Sequence, residues 1–130
     1  MKKEIVRVPP ISDVVEKLGV PLSAAVKANG FVFVSGLPPT DRQTGQLVRG
    51  DVAKQTEVCL ENVKAALEAA GSSLEKVVKV TVYASNAAYF GTINKVYARY
   101  FPSEPPARTF VTVGSWPMEF DIEIECVALA

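Results

Sequence analysis

An α+β domain, one mixed β-sheet with two helices packed on one face, is the fold class that three observations predict. Two runs carry the period of an amphipathic helix, at 51–70 and 86–101, and each is followed by a run with the period of a strand. Short strand-like runs punctuated by Gly, Pro and Asn precede the first helix. The order is therefore strands, helix, strand, helix, strands, which reads as two β-α-β halves of one sheet. The chain has 130 residues, enough to bury one core but not two, so residues 1–130 read as a single domain.

At the N-terminus KKEIVRV alternates and reads as a strand, and PPISDVVEKLGVP reads as a proline-bracketed connection holding one helical turn. In LSAAVKANGFVFVSG two short strand-like runs flank Asn29-Gly30, a dipeptide that suits the left-handed positions of a tight hairpin turn. The loop LPPTDRQTGQ follows, with a short strand expected at Leu47-Val48. From Asp51 to Ala70 the positions Val52, Thr56, Cys59, Val63, Ala66 and Ala70 recur at steps of three and four. Gly71 stands where a helix ends.

In VVKVTVYA the spacing places Val78, Val80, Val82 and Ala84 on one side and Lys79, Thr81 and Tyr83 on the other. Ser85 or Asn86 is a suitable cap for the second helix, whose stripe of Tyr89, Phe90, Ile93, Val96, Tyr97, Tyr100 and Phe101 runs up to Pro102. The stripe reads as core packing rather than a surface for stacking bases. ARTFVTV and FDIEIECVA are the closing strands. The last alternates strictly, with Phe120, Ile122, Ile124 and Cys126 facing one way and Asp121, Glu123 and Glu125 the other. The sheet face away from the helices is expected to carry Thr81, Tyr83, Phe110 and Thr112 among the acids. Such a mixture is a poor solvent face, so a homo-oligomer is expected.

Composition narrows the function. Lys+Arg and Asp+Glu both number 14, so no general attraction to nucleic acid or anionic lipid is expected. No apolar run is long enough to span a membrane, and MKKEIVRVPP lacks the apolar segment of a signal peptide. A cytoplasmic protein is expected. Cys59 and Cys126 fall in a helical and a strand pattern, which suits buried free thiols. The chain has no histidine, which excludes Ser-His-Asp and Cys-His mechanisms within it and removes the commonest metal ligand.

What remains is a constellation near the C-terminus. In PPARTFVTVG, Arg108 stands at the entrance of a strand, and Glu123 follows fifteen residues later in IEIEC. An arginine offers a planar fork of donors that fits a carboxylate bidentately; it serves equally in a salt bridge to an acid on a facing strand, Glu123 included. By pattern alone Glu123 belongs to an acidic row with Asp121 and Glu125. These segments, with VKANGFVFVSGLPP, EAAGSSLEKVVKVTVYAS and FGTINKVYARYF, resemble the Rid/YjgF family of reactive-intermediate (2-iminobutanoate/2-iminopropanoate) deaminases over about residues 20–130. The resemblance implies a chorismate-mutase-like subunit, a homotrimer with clefts between neighbours, and hydrolysis of 2-imino or enamine acids to 2-keto acids and ammonia.

Carried onto this chain, the resemblance implies that Arg108 holds the substrate carboxylate, that backbone groups near Phe110 bind the imine end, and that Glu123 positions or activates water. Ser35 and Gly36 become pocket walls. An imine is already electrophilic, so a placed water and a carboxylate suffice; no metal or cofactor is required. Leu22 stands where the resemblance expects a pocket tyrosine, and Ala88 where it expects an asparagine. Apolar side chains on the substrate are accordingly expected to be favoured over the smallest. Two other readings are a non-catalytic trimer binding small carboxylates and, against the charge balance, a ribonuclease, an activity ascribed to some members of that family.

Overall fold

The computed structural model describes residues 2–130. Six strands form one mixed sheet: β1 (Glu4–Val6), β2 (Ala25–Ala28), β3 (Phe31–Leu37), β4 (Val77–Ala84), β5 (Ala107–Thr112) and β6 (Ile122–Leu129), in the spatial order β1-β2-β3-β6-β4-β5. β4 and β5 are parallel and the other neighbours antiparallel. The β2–β3 hairpin turns where the sequence indicated, with Asn29 at φ 50° and Gly30 at φ 81°.

Three α-helices are present among the described residues rather than two. α2 (Val52–Ala69) and α3 (Phe90–Tyr100) are the expected pair, and they lie against each other with α2 over β3 and β6. Asp51 caps α2 by accepting from the Ala53 N–H, a contact worth about 1 kcal/mol. α1 (Ile11–Leu18) occupies the segment expected to hold a single turn. Ile11, Val14, Val15 and Leu18 have helical spacing, Arg7 pairs with Asp13 and Glu16, and the Ser12 hydroxyl accepts from the Val8 N–H. Gly19 ends the helix at φ 70°. Leu47 forms an isolated bridge to Thr40 instead of a strand, because the intervening turn is closed by Asp41 and leaves no length for a ladder.

The core lies between the sheet and α2/α3, with Leu60, Leu67, Ile93, Val80, Val82, Ile122 and Ile124 almost fully buried. A register shift between Val77 and Lys79 turns Val78 outward, 40% exposed, and sends Val77 inward in its place. Three polar side chains on α2 are buried with partners. Gln55 bonds Asp121 and the Gly50 carbonyl, Thr56 the Val52 carbonyl, and Asn62 the Pro38 and Thr40 carbonyls. Gln55 ties the start of β6, and Asn62 the 38–47 loop, to the helix layer.

The face of β5 differs from the expectation. Arg108, Phe110 and Thr112 lie opposite Val80, Val82 and Ala84, so Phe110 and Thr112 share the helix side. Phe110 packs against the core. Register with β4 decides this, and β5's own pattern has no clear buried parity. The open face carries instead Phe31, Phe33, Val111 and Leu129, each at least 36% exposed, beside Tyr83, Glu123 and Glu125.

Candidate active site

The two residues that carried the sequence reading lie on opposite sides of the sheet. Arg108 is in register with Val80 and Cys126 on the helix side, whereas Glu123 is in register with Tyr83 on the open side. An intrachain salt bridge between them is therefore excluded. Each has its own surroundings, and the two are candidate half-sites.

Around Arg108 the walls come from α3. Its guanidinium carbon lies 4.8 Å from the Tyr97 ring centroid and 5.5 Å from that of Phe90. Phe110 meets Phe90 edge-on at 5.0 Å, and Tyr97 stacks at 4.7 Å on Phe101. Two aromatic faces thus fix the cation while leaving its in-plane donors free, and none of the ion pairs among the described residues involves it. On the same helix, Asn94 Oδ1 and the Tyr97 hydroxyl are buried without a hydrogen-bond partner. Burial pushes the Tyr97 phenol up to about 12, against the lowering pull of the Arg108 charge. Sequence reading assigned Tyr97 to the core stripe and did not single out Asn94. The available signal was the Asn-x-x-Tyr spacing, which puts both on one side of α3.

Glu123 lines a separate apolar groove of about 250 Å³, with α1 on one side and the 116–120 loop on another. It is the one ionisable group among the described lining residues. Burial, and secondarily the Glu125 charge, raise its carboxyl above the usual carboxylate range. Glu125 itself is engaged by the Tyr83 hydroxyl. Gly36, at the β3 irregularity, is what lets Glu123 reach the groove. A Cβ there would sit 3.0 Å from the Glu123 carboxyl carbon and closer still to Oε1.

The other sequence-selected residues fall as follows. Leu22 lines the groove at its exposed edge. Ser35 does not line it; its hydroxyl donates to the Ser23 carbonyl at 2.6 Å and so anchors the backbone next to Leu22. Ala88 is exposed in the turn before α3, its N–H bonded to the Asn86 side chain, and lines neither half-site wall described above. Both cysteines are buried free thiols, and burial raises each, Cys126 to about 12, so neither is a ready nucleophile. Among the described residues no group of His, Cys, Asp or Glu side chains is placed to hold a metal ion.

Residues 17–130 match the family model described as Endoribonuclease L-PSP. Reactive Intermediate Deaminase A, chloroplastic, of Arabidopsis thaliana is 43% identical over 108 residues, covering 83% of this chain and 58% of that relative. The crystal structure of a putative endoribonuclease from Thermotoga maritima superimposes with a TM-score of 0.86 at 43% identity, over 100% of this chain and 98% of that one. E. coli TdcF with bound serine does so with a TM-score of 0.80 at 37% identity, over 85% and 88%.

Proposed function

The chain belongs to the endoribonuclease L-PSP family, the group that includes the Rid/YjgF proteins, and on that premise we propose that it hydrolyses 2-imino or enamine acids to 2-keto acids and ammonia. The observation that carries the reading is Arg108, a cation clamped by Tyr97 and Phe90 and without an acid partner among the described residues. An arginine held in this way is preorganised for a planar anion, and a carboxylate presents two oxygens to its fork. TdcF, a relative, holds serine, a small molecule bearing such a carboxylate.

Because Arg108 and Glu123 face opposite sides of one sheet, the reaction site is formed by two copies, with Arg108 from one and Glu123 from its neighbour in a homotrimer. The exposed apolar residues of the open face support assembly. In this arrangement Arg108 fixes the substrate carboxylate, backbone groups at Phe110 orient the imine, and Glu123 takes a proton from water as it attacks the imine carbon. Glu123 passes that proton to the imine nitrogen, giving a carbinolamine; transfer of the hydroxyl proton to the same nitrogen then lets the C–N bond break, expelling ammonia and leaving the 2-keto acid. Partial shelter of Glu123 raises its basicity, which suits that role.

The family description names an endoribonuclease, but equal numbers of acids and bases and the absence of histidine favour a small carboxylate over RNA. The test generates imines in situ with an amino-acid oxidase and follows their decay and ammonia release with and without the protein. Acceleration supports the hydrolase. Keto-acid binding without acceleration would favour the non-catalytic carboxylate binder.

A further inference from the structure

We propose that α1 and the 116–120 loop form a side-chain compartment beside Glu123, which selects substrates with a branched aliphatic or aromatic side chain and whose depth is set by Val14. This rests on the imine reading for the reacting end of the substrate; the compartment itself stands on the groove. Its volume of about 250 Å³ is below the range of whole-ligand pockets yet ample for one side chain. Val14, Leu18, Leu22, Leu47, Trp116 and Met118 line it, and Glu123 is its only charge among the described lining residues. Thr40 and Glu123 are the only polar side chains among the described lining residues, so a polar substrate tail would lose its hydration there with little to replace it.

The walls are fixed rather than loose. Trp116 stacks on Phe120 at 4.5 Å between ring centroids, and α1 is pinned through Arg7 to Asp13 and Glu16. Val14 Cγ2 lies 3.4 Å from where a Cβ on Gly45 would sit, so the helix closes against the 38–47 loop. Leu18, Leu22 and Met118 remain 60%, 45% and 46% exposed at the mouth. That is apolar surface which an entering side chain would cover. Val14 itself precedes the residues matched by the family model, which begin at Lys17.

Trp116 is the only tryptophan, so its emission reports on the compartment alone. The experiment titrates two probe series against that emission in the wild-type protein and in Val14→Phe: straight-chain alcohols from ethanol to hexanol, and 2-keto acids from pyruvate to 4-methyl-2-oxopentanoate. The expected result is an affinity that rises about fourfold per methylene in both series and flattens in Val14→Phe. In turnover, the ratio of kcat/KM for the leucine-derived over the alanine-derived imine should fall by on the order of tenfold or more in the variant. Alcohols that bind without length dependence, or equally to both proteins, would overturn the compartment; a neighbouring copy already filling the groove would give that result. Length-dependent alcohol binding with no binding of any keto acid would retain the compartment and sink the imine reading instead.

Discussion

At the scale of the residue, Arg108 and Glu123 make separable predictions. Arg108→Ala should leave the fold intact, losing only the stacking on Tyr97 and Phe90, about 1 kcal/mol, while imine hydrolysis falls by the equivalent of about 2–5 kcal/mol. Circular dichroism and the ammonia assay check the two halves together, and normal turnover would remove Arg108 from the site. For Glu123, burial and the Glu125 charge disfavour the ionised form, so the folded chain keeps this proton to higher pH than the unfolded chain does. In the proposed role as base it acts ionised, and the rate should climb with pH through a value above the usual carboxylate range. Glu123→Gln should abolish that limb and lower the rate by about two to four powers of ten. The stability that the raised value contributes is fully present below the ordinary carboxylate value of the unfolded chain and is lost as pH rises from there through the raised folded value, so the Gln variant should melt higher than wild type near pH 7 and lose that advantage in acid. The sequence indicated both residues through their spacing and the family resemblance. It could not show that they face apart, because a strand's own pattern does not say which parity its neighbour buries.

At the scale of the element, the irregularity in β3 is the hinge of the site. Gly36→Ala would place a methyl group against the Glu123 carboxyl, whose flexible end can move aside. The expected result is a melting temperature near wild type with reduced kcat, measured on the same preparation; unchanged kcat would show that the carboxylate position is unimportant. Gln55→Leu tests the opposite kind of contact. It strips partners from Asp121 and the Gly50 carbonyl without touching either half-site, and should cost about 1–3 kcal/mol by denaturant titration with activity retained in the folded fraction. α2, β6 and the β2–β3 hairpin were legible because length, strict alternation and Asn29-Gly30 each leave one solution. α1 was underread although Ile11, Val14, Val15 and Leu18 have helical spacing, since eight residues next to two prolines give a weak local signal. Its partners, the 38–47 and 116–120 loops, are distant in sequence.

At the scale of the whole molecule, the proposed reaction needs two copies, because one sheet holds Arg108 and Glu123 on opposite faces. In the proposed trimer the exposed Phe31, Phe33 and Leu129 of the open face would supply the apolar contact, and Phe33→Asp should then reduce the mass in solution towards the 14.0 kDa of one chain and abolish activity with it. The most direct measurement is complementation. Arg108→Ala and Glu123→Gln, each inactive alone, are co-expressed and purified as mixed oligomers, and imine hydrolysis is assayed. A trimer with shared sites regains one intact site whenever both variants are present, so random mixing should restore about a quarter of the wild-type rate. A mixture as inactive as its parents, with mixed oligomers demonstrated by mass spectrometry, would contradict a site built from Arg108 of one copy and Glu123 of the next.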